Sequence, residues 1–366
     1  MSAPKRPLTV AAAQLGPIQL KDTRSNVIAR MCTLLDQAAA STPKAQLVVF
    51  PELAFTTFFP RYFISDESQL REYFEAESPD APIEKSPHVK PLFDHAQKLG
   101  IDVHVGYAEA WTNPTTAEEK RFNSSVYYSA SEGRSIAKYR KVHLPGVKEP
   151  WPGKNVTQQL EKRYFSHGDM GFPAFRAPGL VEDVLKQEGD EKEVQKEQEG
   201  QGDPVLGMLI CNDRRWPEAW RAYGLQGVEL VLCGYNTTAY APQLLGSDMS
   251  NAKPLSREET AAEVLFHHKL CITSNSYMNS CFSVNVGKVG SEDGHDLIAG
   301  TCIVDPKGYV VKESQTKDDE LVIATLDLAA CRAGKTKTFD LGRHRQLASY
   351  GVLVERAGVK EPELLP

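Results

Sequence analysis

Glu52, Lys141 and Cys211 each come directly, or one residue, after a short run that reads as a strand. Residues 47–50 and 205–210 read as buried strands, and residues 135–139 as the second arm of a hairpin. An open α/β sheet keeps its chemistry at the carboxyl ends of its strands, so these three side chains are candidates for one site. A cysteine thiolate is a good nucleophile but is scarce at neutral pH, because a free thiol titrates near ~8.5. A carboxylate beside it can take the thiol proton and later give it to a leaving amine. A fixed ammonium, or backbone N–H groups, can hold the oxyanion that develops. The set therefore suits nucleophilic hydrolysis of an amide. Each residue also has an ordinary reading: Glu52 as a helix cap, Lys141 as a solvated lysine, Cys211 as a core thiol.

The residues around Cys211 narrow the substrate. Asn212, Asp213, Arg214 and Arg215 follow it at once, and Pro217 and Glu218 open a helix. Two arginines at a helix start sit against the helix dipole. Guanidinium groups grip carboxylates bidentately, so the pair suits a substrate with a free carboxylate. Surface arginines at a turn are the alternative.

Several elements must position these groups. Residues 8–14 read as a first strand, and residues 23–40 as an amphipathic helix with Val27, Ile28, Met31, Leu34, Leu35 and Ala38 on one face. Helices are predicted around 68–76 and over 88–99, the latter stopped by Gly100. Residues 101–107 form a strand, and 123–129 with 135–139 a hairpin turning at Glu132-Gly133. Residues 148–173 are loop-like. Residues 188–203 are a charged insertion with a single apolar residue. A strand at 229–233 leads into Gly234-Tyr235-Asn236-Thr237. A helix over 254–270 carries Ser256 and Glu259 at capping-box spacing. Strands at 271–274, 282–286, 300–304, 309–311 and 321–326 follow. The reading is one domain over residues 1–335, an α/β fold of sheets covered by helices, with a C-terminal extension at 336–366 that could wrap a neighbouring subunit.

Composition excludes several functions. The 366 residues are 41% hydrophobic and 25% charged, an ordinary globular balance, and the net charge of −6 argues against nucleic acid or an anionic membrane as partner. No apolar run approaches the ~20 residues that span a bilayer, and the N-terminus lacks the apolar stretch of a secretory signal. Seven cysteines, an odd number without CxxC pairs, point to reduced thiols and a cytoplasmic protein. No zinc or iron–sulfur spacing is present, so no metal or cofactor is expected. Asn123-Ser124-Ser125 matches a glycosylation sequon, which carries no meaning in a reducing compartment.

Longer strings strengthen the reading. Phe50-Pro51-Glu52-Leu53, Tyr139-Arg140-Lys141-Val142-His143-Leu144 and Cys211-Asn212-Asp213 resemble the Glu, Lys and Cys motifs of the nitrilase, or carbon–nitrogen hydrolase, superfamily. The resemblance runs from about residue 7 to 353, interrupted by the acidic insertion. Within that superfamily the chain is most similar to the D-carbamoylases, the N-carbamoyl-D-amino acid amidohydrolases. That similarity rests on Pro51-Glu52-Leu53-Ala54 with Thr56-Thr57-Phe58-Phe59-Pro60-Arg61, on Leu160-Glu161-Lys162-Arg163-Tyr164-Phe165, on Cys211 through Glu218, and on Gly234 through Thr237.

The resemblance implies a four-layer α-β-β-α sandwich that pairs into homodimers or homotetramers. It implies hydrolysis of the carbamoyl C–N bond of an N-carbamoyl-D-amino acid, through a Cys211 thioester, to D-amino acid, carbon dioxide and ammonia. Glu52 would act as general base and acid, and Lys141 would hold the oxyanion with the Asn212 backbone N–H. Glu161 would be the second carboxylate, its alternative being a salt bridge with Lys162 or Arg163. Arg214, Arg215, Asn236 and Thr237 would bind the substrate, and His143 would line the site or simply pack. A β-ureidopropionase-like enzyme or a carboxylate-bearing amidase would share the same three central residues. Two departures bear on substrate range. Gln159 stands where the D-carbamoylases carry a histidine, and residues 238–254 diverge.

Overall fold

The computed structural model describes residues 6–153, 156–181, 202–241 and 255–364. Its first sheet is built from β1 (Pro7–Gln14), β2 (Leu47–Val49), β3 (Glu75–Glu77), β4 (Asp102–Thr112), β5 (Glu119–Ser129) and β6 (Arg134–Arg140). The second contains β7 (Phe175–Arg176), β8 (Val205–Ile210), β9 (Leu230–Tyr235) and β10 (Phe282–Gly287). A hairpin of β11 (Gly290–Glu292) and β12 (His295–Leu297) stands apart from both. β13 (Cys302–Val304) and β14 (Val310–Glu313) extend the second sheet, and β15 (Glu320–Asp327) returns to pair antiparallel with β1.

Alternation along the strands creates the layers. Leu8, Val10 and Ala12 of β1 face Leu206, Met208 and Ile210 of β8, with Leu230, Leu232, Val284 and Val286, in a core between the sheets. The intervening residues Ala11 and Ala13, with Val48, Val103 and Val105, face outward against α1 (Arg24–Ala40). Two shorter helices follow α1 on this side of the chain, α2 (Glu67–Arg71) and α3 (Lys90–Leu99), and α3 packs into the same outer core. After the short α4 (Glu161–Tyr164) come α5 (Pro217–Leu225) and α6 (Arg257–Asn279). They cover Leu209, Val231 and Cys233 on the far side of the second sheet. Helix, sheet, sheet, helix is the expected four-layer sandwich. Each large aliphatic side chain shut away in it contributes about 1.5–3 kcal/mol.

Strand direction decides where the site lies. β1, β2 and β4 run parallel, β5 runs against β4, and β6 against β5, so β6 points the same way as β2. β8, β9 and β10 are mutually parallel in the other sheet. The residues following β2, β6, β8 and β9 are those singled out by their chemistry.

Some elements differ from the sequence reading. The helix expected at 254–270 and the strand at 271–274 are one helix, α6, of 23 residues. Val264, His268, Ile272, Asn275, Ser276 and Asn279 form its buried stripe. Thr273 Oγ1 and Ser274 Oγ bond back to the carbonyls of Lys269 and Leu270, both at 2.7 Å, so their local preference is satisfied within the helix. The helix expected around 68–76 ends at Arg71, and β3 follows beside β4. Ser256 and Glu259 form the expected capping box, and Gly100 stops α3 at φ 61°. Most of the acidic insertion (188–201) and of the divergent segment (242–254) lies outside the described residues.

Candidate active site

Glu52 sits where the chain leaving β2 is wedged between the two sheets. A Cβ on Gly106 of β4 would lie 2.7 Å from the Glu52 Cα, and one on Gly234 of β9 would lie 2.6 Å from the Glu52 nitrogen. Only glycine on both sides admits this backbone. Leu53 then turns through φ 44°, and Ala54 donates to the Gly106 carbonyl at 2.8 Å. Lys141 follows β6, its N–H bonded to the Asn123 carbonyl at 2.8 Å. Cys211 ends β8 at φ 48°, a left-handed conformation that costs a non-glycine residue about 1–2 kcal/mol. It begins the tight turn over 211–215, which Trp216 and Pro217 convert into α5.

The side chains converge without solvent. Glu52, Lys141 and Glu161 are all completely buried. The Lys141 ammonium reaches Glu52 Oε1 at 2.7 Å and both oxygens of Glu161 at 2.9 and 2.7 Å. Asn123 Nδ2 bridges the two carboxylates, at 2.7 Å to Glu52 and 3.2 Å to Glu161. Gln159 Nε2 donates to the remaining side of Glu161 at 2.8 Å. Asn236 joins acid and thiol: its N–H donates to Glu52 Oε2 at 2.8 Å, and its carbonyl accepts from Cys211 Sγ at 3.4 Å.

Electrostatics follow from burial and crowding. Desolvation disfavours the Lys141 ammonium, but Glu161, Glu52 and Cys211 together outweigh it, so the lysine stays charged. Burial lifts Glu161 to about 7 against the pull of Lys141. Burial pushes the Cys211 thiol up and Glu52 adds to it, whereas Lys141 and Arg214 draw it down. A buried thiol beside a carboxylate is a nucleophile awaiting proton removal, with an ammonium next to both.

The other candidates surround this centre. Arg214 is buried and held by protein atoms, while Arg215 is exposed with no ion pair among the described residues. Thr237 Oγ1 accepts from Arg214 Nη2 at 2.9 Å. Asn212 Nδ2 donates to the His143 carbonyl at 3.1 Å. His143 pairs through Nδ1 with Asp213 Oδ1 at 2.7 Å and stacks on Trp216 with ring centroids 4.8 Å apart. Asp213 also accepts from Tyr139 at 2.8 Å, so it ties the turn after β8 to β6.

Sequence reasoning missed several residues here. Asn123 appeared only as part of a sequon, although a polar residue within a buried strand was itself a signal. Asp213 was noticed without a role. Arg61, Lys288 and Glu292 form a completely buried ionic cluster behind the loop that carries Glu52. Glu292 accepts from Thr57 Oγ1, the Phe58 N–H and the Ile18 N–H, each at 3.1 Å, and Lys288 donates to the Thr56 carbonyl at 2.7 Å. Burial, opposed by Glu292, lowers Lys288 to about 8. The string from Thr56 to Arg61 is thus stapled to β11. No group of His, Cys, Asp and Glu that could hold a metal occurs among the described residues. No described helix is long and apolar enough to cross a membrane.

The sequence model of carbon–nitrogen hydrolases matches residues 9–336. The chain belongs to the carbon–nitrogen hydrolase family. Relatives in this family include an N-carbamoylputrescine amidase from Oryza sativa subsp. japonica, 25% identical over 324 residues, covering 86% of each chain. A citrullinase from Francisella tularensis subsp. tularensis is 24% identical over 326 residues, covering 88% of this chain and 90% of its own. Among solved structures, a carbon–nitrogen hydrolase from Helicobacter pylori G27 superposes with a TM-score of 0.69 at 20% identity, covering 96% of this chain and 99% of the other. That likeness fixes the family sandwich as the fold.

Proposed function

We propose that the protein hydrolyses the carbamoyl group of N-carbamoyl-D-amino acids. The observation that carries this reading is the arrangement of Glu52, Lys141 and Cys211 at one edge of the sandwich, with the Arg215 guanidinium, unpaired among the described residues, four residues beyond the thiol. In this reading Cys211 attacks the carbamoyl carbon as Glu52 takes its proton. Lys141 and the Asn212 N–H receive the oxyanion. Collapse expels ammonia, which leaves with the proton returned by Glu52, and an acyl thioester bearing the amino acid nitrogen stays on Cys211. Glu52 then deprotonates a water molecule, which attacks the thioester. The N-carboxy amino acid released loses carbon dioxide to give the amino acid. Glu161 and Asn123 hold Lys141 and Glu52 in register throughout. Asn236, Thr237 and His143 complete the wall around the ureido group, and Arg215 meets the carboxylate. The preference for the D-enantiomer rests on the resemblance of the strings around Glu52, Glu161, Cys211 and Asn236 to those of the D-carbamoylases.

A second reading has support of its own. Of the relatives described above, one is named for N-carbamoylputrescine, a carbamoylated diamine, and another for citrulline. A carbamoyl hydrolase for a substrate without the D-α-carboxylate would keep the same chemistry. An exposed arginine beside the thiol suits such a cation poorly. Ammonia release measured on N-carbamoyl-D-phenylalanine, its L-enantiomer, N-carbamoyl-β-alanine and N-carbamoylputrescine separates the readings. The D-amino acid derivative is expected to be turned over at least about tenfold faster in kcat/KM than the others. Equal turnover of the β-alanine or putrescine derivative would move the protein to the second reading. Cys211→Ser should abolish release from all four.

A further inference from the structure

Arg214 is completely buried, and no carboxylate pairs with it among the described residues. All three of its guanidinium nitrogens nevertheless have partners. Nε donates to Nδ1 of His268 at 2.9 Å, Nη2 to Thr237 Oγ1 at 2.9 Å, and Nη1 to the Cys211 carbonyl at 2.6 Å. Nη1 also lies 3.7 Å from the Cys211 sulfur, and the guanidinium rests over the Tyr235 ring at 4.8 Å. A buried cation without an anion is costly, so the negative charge must arrive during the working cycle. The thiolate of Cys211 and the carboxylate of the substrate are the two anions available. Contact with sulfur and closure to solvent favour the thiolate. Arg215, exposed on the same turn, is left for the carboxylate.

His268, on α6, fixes this arrangement. Its Nε2 lies 3.2 Å from the Gly300 carbonyl, which places the ring proton on Nε2 and leaves Nδ1 as the acceptor for Arg214. Burial and then Arg214, with Arg215 and Lys269 adding, keep the ring neutral. A protonated imidazole would have no lone pair to offer. Gly300, at φ 116°, allows the close approach: a Cβ there would lie 3.1 Å from the His268 ring.

We propose that His268 is a positioning residue that holds Arg214 against Cys211, and that Arg214 serves as counter-ion to the thiolate and not as a substrate clamp. The charges facing the sulfur support this. Lys141 and Arg214 are the cations that draw the Cys211 thiol down, against Glu52 and Glu161. The proposal rests on the reading of Cys211 as nucleophile, and its test is separable from the substrate assignment.

The experiment follows alkylation of Cys211 by iodoacetamide, resolved by peptide mass spectrometry, between about pH 6 and 10. It needs no substrate. His268→Leu and Arg214→Met should each raise the midpoint by about one unit. Both should lower kcat about tenfold or more with KM changed less than about twofold. His268→Gln, whose amide oxygen can accept from Nε, should restore most of both. An unmoved midpoint in either folded variant overturns the proposal, as does a rise in KM with kcat unchanged. Nitrogen NMR of the wild-type enzyme tests the same geometry without substitution, and a His268 ring carrying its proton on Nδ1, or two protons, would overturn it. If the wild type ignored every carbamoyl amino acid, the substrate assignment would fall while the alkylation result stood.

Discussion

Two buried carboxylates share one ammonium at Lys141, and the sharing gives Glu161 a measurable signature. Burial raises its folded pKa to about 7. An unfolded glutamate titrates near ~4.3, so the folded state binds this proton more tightly. The stability it contributes is fully present below about pH 4.3 and is lost as pH rises through about 7. Glu161→Gln removes the titration. Urea unfolding of wild type and variant should therefore show a difference that moves against the wild type between about pH 5 and 8. A difference independent of pH would mean that Glu161 titrates normally. Asn123 and Gln159 are the amides that complete this cluster. Gln159 donates to Glu161, so its amide helps hold the second carboxylate in place.

At the level of elements, the glycines that flank Glu52 are as demanding as the charged groups. Gly106→Ala or Gly234→Ala would drive a methyl into the Glu52 backbone from either sheet. Each should cost about 1–3 kcal/mol by overpacking, read as a lower Tm, and should reduce kcat far more than a comparable substitution elsewhere in β4 or β9. A variant that kept full activity would show that the acid does not need this wedge. The strands that deliver Glu52 and Cys211 were legible as short apolar runs ending in a charged or reactive residue, and the one before Lys141 as the second arm of a hairpin. α6 was not, because Cys271-Ile272-Thr273-Ser274 carries the β-branched Ile272 and Thr273, and the helix absorbs the hydroxyls of Thr273 and Ser274 internally. The β11–β12 hairpin was invisible for another reason. Its residues are mostly polar, and Lys288 and Glu292 look like solvated charges until the Thr56–Arg61 loop closes over them. Pairing across distant parts of the chain decides such positions, and no local pattern reports it.

The whole molecule leaves apolar surface uncovered. Phe266, Leu270, Tyr277 and Met278 are exposed on α6, with Tyr309 and Val311 of the neighbouring β13–β14 region. Leu347, Leu353 and Val354 stand out from the C-terminal extension. Patches of this kind mark interaction surfaces, and we propose that a second copy of the chain covers them. Light scattering coupled to size-exclusion chromatography should give twice or four times the chain mass. Phe266→Glu with Leu270→Glu should shift it toward the monomer. A wild type that elutes as a monomer at micromolar concentration would overturn the assembly.

Asn236 has a consequence for heat. Its backbone N–H moors the proton acceptor and its carbonyl moors the sulfur. When the layers breathe, both groups ride with the same link, so their separation is insulated from small slippage between sheets. Turnover should consequently rise on warming as an activated rate does, and then fail together with that link as one abrupt event.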